Sequence, residues 1–280
     1  MGQGGNGMGS HREKLQALIE AHGDTIPLDL AAALIAAEEQ GLPVDPAQLS
    51  SELDTIAAGA HVPEGASAVE AVARLNHRLF TELGFKGDST NYDDPKNSFI
   101  DQVLLRRRGL PILLSVLYIE VARRVGVEMV GVGFPSHYLV RPTDSDFFID
   151  PFHGGQVLRP EQLRAWLQRL YRGAPITKAI WAEATVTNTP RDILVRINRN
   201  LKFSHLRRDD LPGAVRASER LLLLAPQLAE ERRDLGRMLI ATGRVEEGVG
   251  ELAHYLADRP TAPDAWQLAQ ELSALLGEDT

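Results

Sequence analysis

Residues 111–126, PILLSVLYIEVARRVG, are the stretch that most narrows the folds open to this chain. A helix drawn through them is apolar on most sides, and such a helix must be buried. Pro111 suits the first turn of a helix, because its missing N–H would have no partner there, and Gly126 is expected to end the helix. The stretch therefore predicts a central helix that other elements cover on most sides.

Three short apolar runs follow the central helix and predict strands. They cover residues 128–134, 137–142 and 147–152, and turn-forming residues separate them, with a hairpin tip at 142–146. A buried helix beside antiparallel strands indicates an α+β fold with a small antiparallel sheet.

The part of the chain before the central helix predicts mainly helices. In residues 12–90, apolar residues recur three and four positions apart, which is the spacing of one helix face. A loop at 86–97 then leads into a further helix at 98–109. Arg106–Arg108 would occupy the last turn of that helix, where cations suit the negative end of the helix dipole, and Gly109 would stop it.

A repeat with a period of 34 residues marks the C-terminal part. Pro226 and Pro260 are 34 positions apart, as are Leu211 and Val245. Paired helices with this period are typical of tetratricopeptide repeats. Two recognisable units and a terminal helix predict a short stack, in which each unit buries its apolar face against a neighbour.

The composition excludes several classes of function. The chain has 280 residues, a net charge of −8 and a pI of about 5.5, so it lacks the positive charge that general nucleic-acid binding requires. It has no cysteine, which rules out a thiol nucleophile, disulfides and thiolate metal sites. Neither a membrane span nor a signal peptide is evident. We expect a cytoplasmic protein with no cofactor, no nucleic-acid partner and no membrane partner.

Four specific motifs lie in the middle of the chain: Asn97–Ser98 before a helix, Arg106–Pro111, Gly133–His137 and Asp150–Gly155. With these motifs the chain closely resembles the bacterial Sir-B-type proteins of the first type, over nearly its whole length.

The resemblance implies three parts. These are a helical N-terminal segment at 11–92, a transglutaminase-like (papain-like) core at 93–188, and tetratricopeptide-like helical hairpins at 189–280.

The resemblance also implies a catalytic geometry. In the transglutaminase-like superfamily a Cys stands at the start of a buried helix, a His follows on one strand and an Asp on the next. The helix N-terminus lowers the pKa of the thiol, the His takes or shares the proton, and the Asp orients the His. His137 and Asp150 correspond to the last two residues, while the Cys position falls on or beside Pro111.

Proline offers no side-chain nucleophile, so the leading prediction is a non-catalytic protein. It would bind a protein or peptide through its repeat helices and regulate that partner. Asn97, Arg107, His137 and Asp150 are the candidate binding residues.

Other interpretations of these residues stay open. A hydrolase or peptidase could use His137 and Asp150 with Ser115, a water or a metal. Ser115 lies on the same helix face as Pro111, but a serine there more often bonds to the carbonyl four residues back. His137, Asp150 and His153 together form a ligand set found in metal enzymes. A purely structural scaffold is the third interpretation.

Overall fold

The protein, seen here as a computed structural model, is described at residues 6–42 and 45–276. It is an α+β protein that forms two compact units, the first running through Ile197 and the second starting at Asn198. The three-part division at 92/93 and 188/189 stays a prediction. In the part of the chain that the structure describes, no helix is both long and apolar enough to cross a membrane.

The first unit begins with helices, as the apolar spacing predicts. They are α1 (Asn6–His22), α2 (Leu28–Gln40), α3 (Pro46–Ala58) and α4 (Ala68–Asn76), and α4 continues into a π-helix at His77–Glu82. Further along the chain are α5 (Ile100–Arg106), α6 (Pro111–Arg124), α7 (Pro160–Leu170) and α8 (Lys178–Ala184).

Helix α6 is the predicted central helix, and every residue from Pro111 to Ala122 is buried. Helices α2, α3 and α5 pack against it, together with two strands of the sheet. At its C-terminal end the guanidinium of Arg124, whose side chain is only 8% exposed, bonds to Asp29 on α2 and to Asp54 on α3, each at 2.7 Å. This ion pair network fixes α2 and α3 to the same end of α6.

The predicted end of the helix before α6 is wrong. Helix α5 stops at Arg106, and Arg107 adopts a left-handed conformation with φ of 58°. Arg108 and Gly109 instead form strand β2, which pairs in parallel with β1 (Lys86–Gly87). The physical reason is long-range, because the carbonyl of Arg107 accepts a hydrogen bond from the Lys86 amide at 3.0 Å.

A five-stranded antiparallel sheet lies beside α6. Its strands are β3 (Met129–Val132), β4 (Leu139–Pro142), β5 (Phe148–Asp150), β6 (Gln156–Leu158) and β7 (Thr187–Asn188), in the order β6-β5-β4-β3-β7. The first three correspond to the predicted strands, while β6 and β7 were not predicted. Leu163 and Leu167 of α7 close the core on one face of the sheet.

His137 lies in the turn before β4, which corrects its predicted place on a strand. The turn is held by a hydrogen bond from the His137 amide to the carbonyl of Phe134 at 3.0 Å. Ser136 takes a positive φ of 58° to form it. The backbone therefore turns just before His137 and only then joins the sheet.

The C-terminal helices follow the predicted period. They are α9 (Pro190–Arg207), α10 (Leu211–Leu224), α11 (Ala229–Ala241), α12 (Val245–Asp258) and α13 (Ala265–Leu276). Helices α10 and α12 begin 34 residues apart (245 − 211) and also end 34 residues apart (258 − 224). Helices α11 and α12 pack closely because Gly236 and Gly248 meet there. A Cβ on Gly248 would lie 2.6 Å from the carbonyl oxygen of Gly236.

The turn after β5 is tied to the helices by Asn76. The Asn76 amide donates to the carbonyl of Gly155 at 2.7 Å, and the Tyr118 hydroxyl of α6 donates to the Asn76 oxygen at 3.0 Å. Gly155 has φ of 76°, and a Cβ there would lie 2.4 Å from that oxygen. The chain can make this approach only with glycine at 155.

We predict that Gly155→Ala lowers the free energy of unfolding by about 2–4 kcal/mol, because it adds a clash to the cost of a left-handed alanine. Gly154→Ala is the matched control. Gly154 also has a positive φ of 68°, but a Cβ there would meet nothing within 4 Å, so we expect a loss of about 1 kcal/mol. Urea unfolding followed by circular dichroism measures both. Equal losses would contradict the Asn76 contact.

Candidate functional site

The carboxylate of Asp150 is the centre of the site, and it is only 1% exposed. Its Oδ1 lies 2.9 Å from Nε2 of His137 and accepts the backbone N–H groups of Phe152 at 3.1 Å and His153 at 3.2 Å. Its Oδ2 lies 2.7 Å from Nδ1 of His153. The predicted contact between His137 and Asp150 is therefore present.

The local sequence explains this arrangement. Asp150 ends β5, and Pro151 opens a 3-10 turn at Pro151–His153 whose first free N–H groups face the Asp150 side chain. This is the capping role that aspartate commonly takes at the start of a helical turn. The capping geometry fixes the carboxylate and brings His153 to its second oxygen.

Hydrogen bonding lowers the pKa of Asp150. Burial alone would raise it, but the hydrogen bonds and electrostatic attraction of His137, and then of His153, outweigh burial and bring the pKa below its ordinary value of 3.8. The carboxylate is therefore held in its charged form.

Aromatic rings enclose His137, which is 7% exposed. The Trp166 ring lies 5.1 Å from the imidazole, Phe152 meets it edge-on at 5.9 Å, and His153 stacks on it at 5.5 Å between ring centroids. The carbonyl of His137 accepts a hydrogen bond from Arg196 at 2.8 Å. His137 is thus fixed on several sides.

His153 gives the cluster an exposed side, since its side chain is 56% exposed. A cavity of 370 Å³ opens next to it. It is lined by Asp150, His153, Gln156, Leu158, Gln162, Ala165, Trp166 and Arg169.

Pro111 and Ser115 lie in α6. Pro111 is the first residue of the helix, as predicted. Ser115 is 0% exposed, and its hydroxyl has no hydrogen-bond partner among the residues that the structure describes. The expected bond to the carbonyl four residues back is therefore absent, and that expectation was wrong. The buried hydroxyl lies among the apolar residues of the helix.

Asn97 and Arg107 serve the loops around α5. Asn97 is fully buried, donates to the carbonyl of Asn91 at 2.7 Å and accepts from Arg106 at 2.9 Å. Arg107 places its guanidinium over the ring of Phe85 at 4.7 Å. These contacts give both residues a structural part, and their binding role stays a prediction.

Trp166 and Arg196 are the contacts that sequence reasoning missed. Trp166 lies on the amphipathic helix α7, three positions after Leu163 and one before Leu167, which are both fully buried. That spacing places Trp166 near the inward face, and so an apolar pattern in α7 was the available signal. Arg196 had no comparable signal, because its partner is a backbone carbonyl.

Two family models match the chain. One, described as the transglutaminase-like superfamily, matches residues 47–199, and one described as a tetratricopeptide repeat matches residues 201–273. No solved structure matches significantly.

Several proteins are similar in sequence. A UPF0162 protein of Xylella fastidiosa (strain Temecula1) is 37% identical over 248 residues, which is 85% of this chain and 86% of that protein. The UPF0162 protein PA3419 of Pseudomonas aeruginosa is 31% identical over 265 residues, 93% of this chain and 95% of that protein. Human F-box only protein 21 is 45% identical over 67 residues, 24% of this chain and 11% of that protein. None of these three proteins is named as a Sir-B-type protein, so the resemblance to that narrower family stays a prediction.

We predict that Asp150 makes the free energy of unfolding depend on pH in the acid range. Because the pKa of Asp150 is lower in the folded state than its ordinary value of 3.8, the charged carboxylate stabilises the fold. This stability is fully present above pH 3.8 and is lost as the pH falls through the folded-state pKa. Asp150→Asn should cost about 3 kcal/mol at neutral pH, as expected when one partner of a buried pair is removed. The difference from wild type should shrink as the pH is lowered below about 4.

Unfolding in urea at several pH values measures this dependence. Asp146→Asn, which changes an exposed carboxylate on the loop before β5, is the control and should follow wild type. A difference between wild type and Asp150→Asn that stays constant down to the lowest pH would contradict the prediction.

Proposed function

This chain belongs to the transglutaminase-like superfamily and to the UPF0162 proteins, and from that premise we propose that it is a non-catalytic member that binds and regulates a protein partner. The observation that carries the proposal is Pro111 at the first position of the buried helix α6. The superfamily reaction needs a thiolate at the start of that helix, activated by the helix N-terminus and by a His. Proline supplies neither a thiol nor a backbone N–H.

The surroundings of His137 also support the proposal. A general base must come within hydrogen-bonding reach of the proton that it removes. His137 is 7% exposed, and the rings of Phe152 and Trp166 lie against it. A substrate would have to displace these rings to reach the imidazole.

Ser115 is a poor replacement for the missing thiol. Its hydroxyl is fully buried and has no hydrogen-bond partner within residues 6–42 and 45–276. An attacking serine needs a base that accepts its proton. An unpaired hydroxyl in an apolar helix lacks that activation.

One observation favours a second candidate function, a hydrolase that activates water. His137 and Asp150 lie 2.9 Å apart, the distance of a base and the carboxylate that orients it. Water attack also requires a group that stabilises the developing negative charge. We assign no residue to that task, and we therefore rank the hydrolase function below the non-catalytic one.

The repeat helices are the proposed binding surface. Residues 201–273 match a tetratricopeptide repeat, and repeats of this kind suggest protein–protein interaction. Trp266, on the terminal helix α13, is 74% exposed. Tryptophan side chains are on average highly buried, so an exposed one is unusual. Tryptophan is also enriched among the residues that dominate binding energy at protein interfaces.

We predict no acyl transfer or hydrolysis that depends on Ser115 or His137. The full chain would be assayed with amide, ester and glutamine-donor substrates, with and without divalent metal, alongside Ser115→Ala and His137→Ala. Ser98→Ala is the control, because Ser98 is also buried and its hydroxyl is also unpaired in the described part of the chain. Any background turnover should be the same in all four proteins. Turnover that survives in Ser98→Ala but disappears in Ser115→Ala or His137→Ala would establish the hydrolase function instead.

We predict that Trp266→Ala weakens capture of a protein partner by the immobilised full chain. A loss of about 2 kcal/mol, or roughly 30-fold in affinity, is expected for a central aromatic residue. Leu105→Ala is the control, because Leu105 is equally exposed, at 76%, but belongs to the first unit. Partners captured from a bacterial extract would be identified by mass spectrometry and their affinity then measured singly. Equal capture by wild type and Trp266→Ala would contradict binding at this surface.

A further inference from the structure

We propose that His137, Asp150 and His153 form a binding site for a divalent transition-metal ion of the zinc type. The inference goes beyond partner binding and needs no catalytic activity. Their ligand atoms all lie within 4.8 Å of one another. Two imidazole nitrogens and one carboxylate oxygen are donors that suit zinc.

The three ligands are close enough to share one ion after local side-chain movement. The two His nitrogens now lie 2.9 Å and 2.7 Å from the Asp150 oxygens. Around a tetrahedral zinc with bonds of about 2.0 Å, neighbouring ligand atoms lie about 3.3 Å apart. Each His nitrogen therefore needs to move about half an ångström away from the oxygen that it now bonds to, while ligand atoms as far apart as 4.8 Å would have to come about 1.5 Å closer. The exposed His153 side chain can make most of that movement.

The hydrogen bonds of Asp150 indicate which oxygen would take the ion. Three groups approach Oδ1, namely Nε2 of His137 and the amides of Phe152 and His153. Among the described residues, only Nδ1 of His153 approaches Oδ2. Oδ2 therefore has a lone pair to give, while the amides on Oδ1 hold the carboxylate in place. Nε2 of His137, which now bonds to Oδ1, would have to turn toward an ion held at Oδ2. Fixed hydrogen bonds to a ligating carboxylate are typical of metal sites.

The ion would replace the protons that now join each imidazole to the carboxylate. Each His must present a lone pair at the nitrogen that faces Asp150, so a neutral ring moves its proton to the other nitrogen. For His153 that other nitrogen belongs to a side chain that is 56% exposed. An imidazolium ring would instead release its proton to water, so affinity should fall as the pH is lowered.

The cavity next to His153 gives an ion access to two of the three ligands, Asp150 and His153, and room for a further ligand. It has a volume of 370 Å³ and is lined by Asp150 and His153. Three protein ligands leave the fourth position of zinc open, as at sites that bind a water or an outside ligand. Gln156 and Gln162 also line the cavity and offer polar groups to whatever fills that position.

The test is zinc titration of the full chain after treatment with a chelator, measured by calorimetry. We expect one equivalent to bind, and His153→Ala to weaken binding about tenfold or more. His153 is the chosen position because its side chain is 56% exposed and its removal should leave the fold intact, which circular dichroism of the variant would check. Cobalt in place of zinc should give visible absorption bands typical of four-coordinate geometry in wild type, and these should be lost in His153→Ala.

His77→Ala is the matched control. His77 is also exposed and lies 3.2 Å from a carboxylate, that of Glu82. We expect its zinc affinity to equal that of wild type. The proposal is overturned if wild type binds zinc more weakly than about 100 μM, if His153→Ala binds as well as wild type, or if His77→Ala loses binding to the same extent.

Discussion

The burial of α6 is the constraint on which the first unit depends. Every residue from Pro111 to Ala122 is removed from water, so the neighbouring elements must surround the helix. Helices α2, α3 and α5, strands β3 and β4, and the turn Pro151–His153 all lie against it. Its buried polar groups are met by specific partners, such as Asn76 for the hydroxyl of Tyr118. Ser115 is the exception, and an unpaired buried hydroxyl costs stability.

The site follows from the same constraint. Because the turn at Pro151–His153 packs on α6 and Gly155 is held by Asn76, the carboxylate of Asp150 has one position. A buried charge is tolerated only when hydrogen bonds satisfy it. Two imidazoles and two backbone amides do so here. The cluster therefore has a clear structural role, and the same fixed geometry is what a metal ion would require.

The second unit depends on a different rule. Its helices are short and amphipathic, and each buries its apolar face only against the next. Glycines at 236 and 248 let the backbones of α11 and α12 approach closely, so any side chain there would separate the pair. The repeat therefore provides a surface whose shape is set by helix packing.

The sequence alone determined the features that arise from local patterns. The apolar run at 111–124 specified a buried helix, and the 34-residue period specified the paired helices α10 and α12, which begin and end at that spacing. The motifs around His137 and Asp150 were also enough to predict their hydrogen bond.

Only the tertiary structure decided the features that depend on distant partners. The left-handed Arg107 ends α5 because its carbonyl pairs with Lys86, and no pattern near Arg107 indicates that bond. The ring of Trp166 covers His137 from a helix that follows it by more than twenty residues in the chain. Periodicity shows which residues of an element face inward, but it does not show which residues of another element they will meet.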